Sequence, residues 1–249
     1  MLERIIKSGR ARLGLLALVA LASVMVGCTT EAVRKEPKEV PKIPITSILV
    51  MPVSSLTQDI GEGAAQIEQQ LYKELKSAGY DVILPDVVTF KRLYDAALVE
   101  SGSIYNPNTK SFLPLDRSVY MRYMIQNLQR YYEHDVLVDP EVLLRPAKIV
   151  GDDAVWDGVQ MEVDVRNEPR SGYRLPPLGK GISLRIASYT RKGAGIELTF
   201  AGISIPYIVF YNDGASDIEL KDAFFTDKEL DKAVDRALEP LLQRVTEAK

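Results

Sequence analysis

Cysteine and histidine each occur once, at Cys28 and His134. A Cys/His zinc set and a multi-histidine site are therefore beyond this chain's own side chains. A Ser-His-Asp triad would have to use His134, which precedes an apolar strand and has no nucleophile signature anywhere in the chain. It reads as a satisfied or solvated strand-edge histidine. Asp152, Asp153 and Asp157 surround the single tryptophan, Trp156, between Gly151 and Gly158. Oxygen ligands suit calcium, but the spacing is not that of an EF-hand. Asp and Gly there suit a tight turn between strands, with Trp156 packed on the sheet. Gly61-Glu62-Gly63 before a helix, with Asp86 further on, echoes a dinucleotide-binding loop. Gln66 stands where the third glycine belongs, and the glycines follow the strand at a distance where the motif needs an immediate turn. No cofactor, no metal and no catalytic residue is expected, and no carboxylate pair stands out as a glycosidase dyad.

The chemistry expected of Cys28 comes from its context. Arg4, Lys7, Arg10 and Arg12 precede an apolar run from Leu13 to Val26, interrupted by Gly14 and Ser23. A basic start, a short apolar core and a small-residue cleavage site build a secretory signal. The run is shorter than the roughly 20 apolar residues that a membrane span needs. Met25-Val26-Gly27-Cys28 resembles the bacterial lipobox. The resemblance implies a diacylglycerol on the Cys28 sulfur, cleavage after residue 27 and acylation of the new amine, which together anchor the chain to a membrane. Thr29, in place of an aspartate, implies outer-membrane sorting by the same resemblance, with the domain facing the periplasm.

The whole chain carries −3, and residues 1–27 hold four basic residues against Glu3, so residues 28–249 carry −6. Without a basic run, nucleic acid is not an expected partner. Residues 28–44 contain three prolines among alternating charges, a composition that favours an extended tether. Its sixteen residues after Cys28, at ~3.1 Å each, reach about 50 Å.

Residues 45–249 read as a single α/β domain with mixed α+β character. Ile45 to Val53 is an almost continuously apolar strand. A helical stripe follows at Ala64, Ile67, Leu71, Leu75 and Ala78, stopped by Gly79, then a short strand from Tyr80 to Leu84. Asp86 caps a helix carrying Phe90, Leu93, Tyr94, Ala97 and Leu98. This order predicts a βαβ start. Residues 101–114 read as a polar loop, and Asp116 begins a helix with Met121, Met124, Ile125, Leu128 and Tyr131 on one side. From residue 135 the period changes to two. Val136 to Leu144 is a strand in which Pro140 and Pro146 argue for bends or an edge. Alternation returns at residues 159–165 and 182–187, and a turn at Arg191–Gly195 leads into Ile196 to Phe200. Gly202 is expected to break that strand, with Ile203 to Tyr211 continuing it. Thr226-Asp227-Lys228-Glu229 is a capping box opening a C-terminal helix packed on the sheet, in which Pro240 should cause a kink or a split.

Ile48-Leu49-Val50-Met51-Pro52-Val53, the helix exit Ala78-Gly79-Tyr80-Asp81-Val82-Ile83 and His134-Asp135-Val136-Leu137-Val138 carry a second resemblance. Their order is similar to that of periplasm-facing lipoproteins related to the curli-secretion channel and to activators of penicillin-binding proteins. That resemblance implies a small domain that binds proteins. The expected role is a non-catalytic accessory or assembly factor docking an envelope protein, as a monomer or a homo-oligomer. The alternatives are an oligomeric secretion-pore subunit, using strands within residues 182–210, and an envelope enzyme acting through carboxylates alone. The aromatic stretch Tyr120, Tyr123, Tyr131 and Tyr132 reads first as core, as such stripes at helical spacing usually are, and is the candidate partner surface if it is not.

Overall fold

The computed structural model describes residues 45–55, 61–106, 111–113, 116–166, 175, 178–212, 215–221 and 225–246. The signal segment, Cys28 and the tether lie outside the described residues. Among the described residues, four helices and thirteen strands follow in order. The first strand, β1 (Ser47–Val50), pairs in parallel with β3 (Asp81–Ile83), and helix α1 (Gly61–Ser77) connects them. Two helices, α2 (Val87–Glu100) and α3 (Arg117–Tyr131), precede the long strand β6 (Val136–Val150), which lies parallel on the other side of β1. Strand β10 (Leu178–Thr190) runs antiparallel to β6 along its length, and β11 (Gly195–Ser204) pairs with β10. The order β11-β10-β6-β1-β3 is the mixed sheet expected, with the C-terminal helix α4 (Asp227–Thr246) against it.

Strand parity builds two cores from one sheet. Ile48, Val50, Val136, Val138, Ile182, Leu184 and Ile186 face α1 and α4, meeting Ile67, Leu71, Leu75, Val234, Leu238 and Leu241. Their neighbours Leu49, Met51 and Leu137 face the opposite way, onto Leu93, Ala97, Met124 and Leu128 of α2 and α3. The result is a three-layer α/β/α arrangement. The apolar faces of residues 182–186 and 201–203 pack against α4 in this fold. Among the described residues no helix is long and apolar enough to cross a membrane.

Several expectations needed correction. The two prolines of β6 do not place it at an edge. Its second side pairs with β1 only through Val138, then with the short β2 (Ser54–Ser55) at Glu141 and Val142, and with β7 (Asp153–Trp156) from Lys148. Pro140 and Pro146 stand in the gaps between those ladders, where a missing N–H costs no sheet bond. Residues 101–114 contain a two-stranded ladder, β4 (Ile104–Asn106) with β5 (Ser111–Leu113), and are not all loop. Gly202 does not end its strand, which continues to Ser204. The glycine is there because a Cβ would lie 2.1 Å from Val159 Cγ2 and 2.9 Å from Trp156 Nε1. The break comes instead at Ile205-Pro206, before β12 (Tyr207–Asn212) opens a separate small sheet with β13 (Ala215–Leu220) and β9 (Val165–Arg166). Pro240 does not split α4.

The expected turn after Trp156 is present. Asp157 and Gly158, both at positive φ, connect β7 to β8 (Val159–Glu162), as a tight hairpin of primed type requires. Trp156 lies buried over Gly181 and Gly202 and donates its indole N–H to the Ile182 carbonyl at 3.2 Å. With Ala147, Val163, Ile205 and Val209 it forms a third cluster at the far end of β6 and β10.

The capping box closes reciprocally. The backbone N–H of Thr226 donates to Glu229 Oε2 at 2.7 Å, and Glu229 N–H donates to Thr226 Oγ1 at 3.4 Å. Thr226→Ala should lower unfolding free energy by about 1 kcal/mol, read in urea melts. An unchanged midpoint would mean that the cap contributes nothing to this helix.

Candidate functional site

Asp139 and Glu141 lie two residues apart on β6, so both point to the α3 side of the sheet. Their side chains are 4% and 6% exposed. Arg185, directly opposite Glu141 on β10, points the same way. Its Nε donates to Glu141 Oε2 at 2.6 Å and its Nη2 to Asp139 Oδ2 at 3.0 Å. Arg117, in the first turn of α3, reaches down from above, with Nη1 3.0 Å from Glu141 Oε1 and Nη2 3.5 Å from Asp139 Oδ2. Two cations thus neutralise two buried acids. Burial alone would push the Glu141 pKa up. The Arg117 hydrogen bond and the charges of Arg185 and Arg117 outweigh it and hold this carboxyl below its ordinary range.

The two guanidinium groups line one end of a groove of about 880 Å³ between α3 and the β10–β11 hairpin. Each guanidinium has five N–H donors and uses two on these acids, so donors remain. Arg122, Gln126, Tyr189 and Lys192 line the rest of the groove, over Met121 and Ile125. The arrangement can hold anionic and amide-bearing groups by hydrogen bonds. Nothing in local sequence announces the cluster except the two acids at alternate positions of an apolar strand.

The four tyrosines do not form one surface. Tyr120 is 8% exposed and packs edge-on against Tyr94 at a centroid distance of 5.6 Å, inside the α2–α3 core. It is a core residue, because its position places it beside Met121 and Met124 against the sheet. Tyr123 and Tyr132 are half-buried against the same core, and the Tyr132 hydroxyl donates to Asp86 Oδ2 at 3.3 Å. Asp86 is also the expected cap, accepting from Thr89 N–H at 2.8 Å. Only Tyr131 presents its ring outward, 54% exposed, with the Arg92 guanidinium 5.1 Å from the ring centroid. Val88, Arg92, Asp95 and Val99 share one face of α2 by their spacing, and Val88 and Val99 are 80% and 67% exposed.

His134 is neither solvated nor fully satisfied. It is wholly buried where α3 hands over to β6. Its Nδ1 lies 3.0 Å from the Tyr132 carbonyl, which can only accept, so Nδ1 carries the proton. Nε2 is buried with no hydrogen-bond partner among the described residues. Burial pushes the His134 pKa down, against the bond to Tyr132 and with the help of Arg191. Next to it, Asp135 Oδ2 accepts from the backbone N–H groups of Thr46 and Ser47 at 2.8 and 3.0 Å, tying the start of β1 to the start of β6.

No protein-family model matches this sequence, and no curated protein matches it. Among solved structures it is similar to the PelC dodecamer from Paraburkholderia phytofirmans, at 7% identity and a TM-score of 0.36, covering 81% of this chain and 91% of that one. It is also similar to the hypothetical protein CT253 from Chlamydia trachomatis, at 11% identity and a TM-score of 0.38, covering 81% of this chain and 99% of that one.

Two outcomes follow from this geometry. Arg185→Leu leaves two buried acids short of their best-buried cation and should destabilise the domain by about 3 kcal/mol. Replacing Asp139, Glu141 and Arg185 together by apolar residues should recover most of that loss in the same denaturant melts. For His134, the folded state favours the neutral ring, so the unfolded chain takes up the proton first. Its contribution is complete above the unfolded value of about 6.5 and is lost as pH falls below it. His134→Asn should remove that part of the slope from a stability–pH profile between neutral and mildly acidic pH.

Proposed function

We propose that this chain is a bacterial envelope lipoprotein, acylated at Cys28 after loss of residues 1–27, whose domain binds a partner protein and does not catalyse a reaction. The export-and-acylation reading is supported by the basic start, the apolar run and Met25-Val26-Gly27-Cys28. Thr29 favours the outer membrane, with the domain in the periplasm. The single observation that carries the docking role is the outer face of α2 and α3, where Val88, Val99 and Tyr131 stand exposed around Arg92. Tyrosine and arginine are the residues that most often anchor protein interfaces. The acids nearest the core are committed to structural bonds, Asp139 and Glu141 to arginines and Asp135 to backbone. A tether reaching about 50 Å raises the effective concentration of any partner held in the same membrane, so a modest patch suffices for selectivity.

Cys28→Ser should release the protein from membranes, and intact-mass analysis of the wild type should show an acylated Cys28 as first residue. An unmodified N-terminus would end the lipoprotein reading. With the protein captured from detergent-solubilised envelopes, Val88→Lys with Tyr131→Ala should weaken partner recovery by about 30-fold at an unchanged melting temperature. Full recovery by that variant would move the interface away from this face.

A further inference from the structure

A second hollow lies across the sheet from the groove, between the Asp157-Gly158 hairpin and the first half of α4. It measures about 480 Å³ and is lined by Gly158, Gln160, Lys228, Glu229, Lys232 and Arg236 among others. Lys228, Lys232 and Arg236 follow one another at four-residue spacing, so one face of α4 carries three cations over ~12 Å. Lys228 and Lys232 are exposed at the rim. Arg236 folds beneath them against the hairpin, where a Cβ on Gly158 would lie 3.3 Å from Arg236 Cδ and 3.7 Å from its Nε. Gly158 is needed for its φ of +78°, and a Cβ there would also press on the arginine stem by a few tenths of an ångström.

Arg236 Nη1 is buried with no hydrogen-bond partner among the described residues. A buried guanidinium N–H without a protein partner is costly and is met by ordered water or by an anion. The nearby acids are engaged elsewhere. Glu229 Oε2 accepts from the Thr226 N–H and hydroxyl, and Asp157 binds Arg145 and Ser183. Among the residues that line the hollow, three cations stand against one carboxylate.

We propose that this hollow binds a phosphate group, with the Arg236 guanidinium beneath it and the Lys228 and Lys232 ammonium groups above. A dianionic phosphate matches the net charge and offers oxygens to all three cations, whereas a carboxylate offers two oxygens and one charge. The phosphate comes either from a soluble phosphate ester or from an anionic phospholipid headgroup. The site is separate from the docking face of α2 and α3 and does not depend on it.

The test uses the full chain in non-ionic detergent, titrated with inorganic phosphate against chloride at constant ionic strength, read by calorimetry and by melting temperature. Phosphate should raise the wild-type melting temperature. Arg236→Met should bind phosphate at least about tenfold more weakly, through loss of charge-assisted bonds. Lys232→Gln should bind severalfold more weakly, and Lys192→Gln, in the other groove, should match the wild type. Should Arg236→Met fail to fold, Lys228→Gln with Lys232→Gln, both exposed, carries the same comparison. A second arm adds phosphatidylglycerol or phosphatidylcholine to the micelles. Arg236-dependent stabilisation by phosphatidylglycerol alone identifies the headgroup source, and stabilisation by inorganic phosphate alone identifies a soluble ester. The proposal is overturned if neither probe stabilises the wild type, or if the hollow's variants respond as fully as the wild type does.

Discussion

Two acids at alternate positions of one strand cannot sit in an apolar layer unless cations meet them there. Asp139 and Glu141 impose that condition on the middle of β6, the strand that both cores share. Arg185 meets it from the neighbouring strand and Arg117 from the helix above. The position of α3 over the sheet, the register of β10 on β6 and the shape of the groove beside them are therefore linked. A slip of β10 by one residue would turn Arg185 to the opposite core and leave both acids to Arg117 alone. In this role the ion pairs specify register more than they add stability.

Much of the framework was legible because its signals are local. Asp86, Asp116 and Thr226 each precede a helix that they cap, with bonds three or fewer residues long. The parallel start from β1 through α1 to β3 followed from apolar periodicity and the Gly79 stop. What escaped the sequence reading depends on distant partners. Nothing near Pro140 tells that the ladder to β1 has ended two residues before it. Nothing near Gly202 tells that an indole lies above it. The two arginines that meet Glu141 are 24 and 44 residues away.

The tyrosines show the limit of composition most clearly. Helical spacing groups Tyr120 and Tyr123 with Tyr131 as one aromatic stretch, yet Tyr120 is buried while Tyr131, about three turns further along nearly the same face of α3, is exposed. Only the packing of α2 beside α3 decides which ring is which, through Tyr94 against Tyr120 and Arg92 against Tyr131. The phosphate hollow is similar in kind. Its lysines and arginine are visible as a four-residue repeat, but the hairpin that buries Arg236 comes from residues far earlier in the chain.

Trp156 gives the molecule a reporter of its own. It is the only indole in the chain, and it sits in the cluster at the far end of β6 and β10, apart from the two cores that flank β1. Its emission therefore follows the loosening of that end alone, while far-ultraviolet dichroism follows the helices on the other two cores. Should the two spectroscopic transitions separate on heating, the hairpin end is a cooperative unit that opens before the rest. Should they coincide, the long pairing of β6 with β10 couples both ends into a single transition.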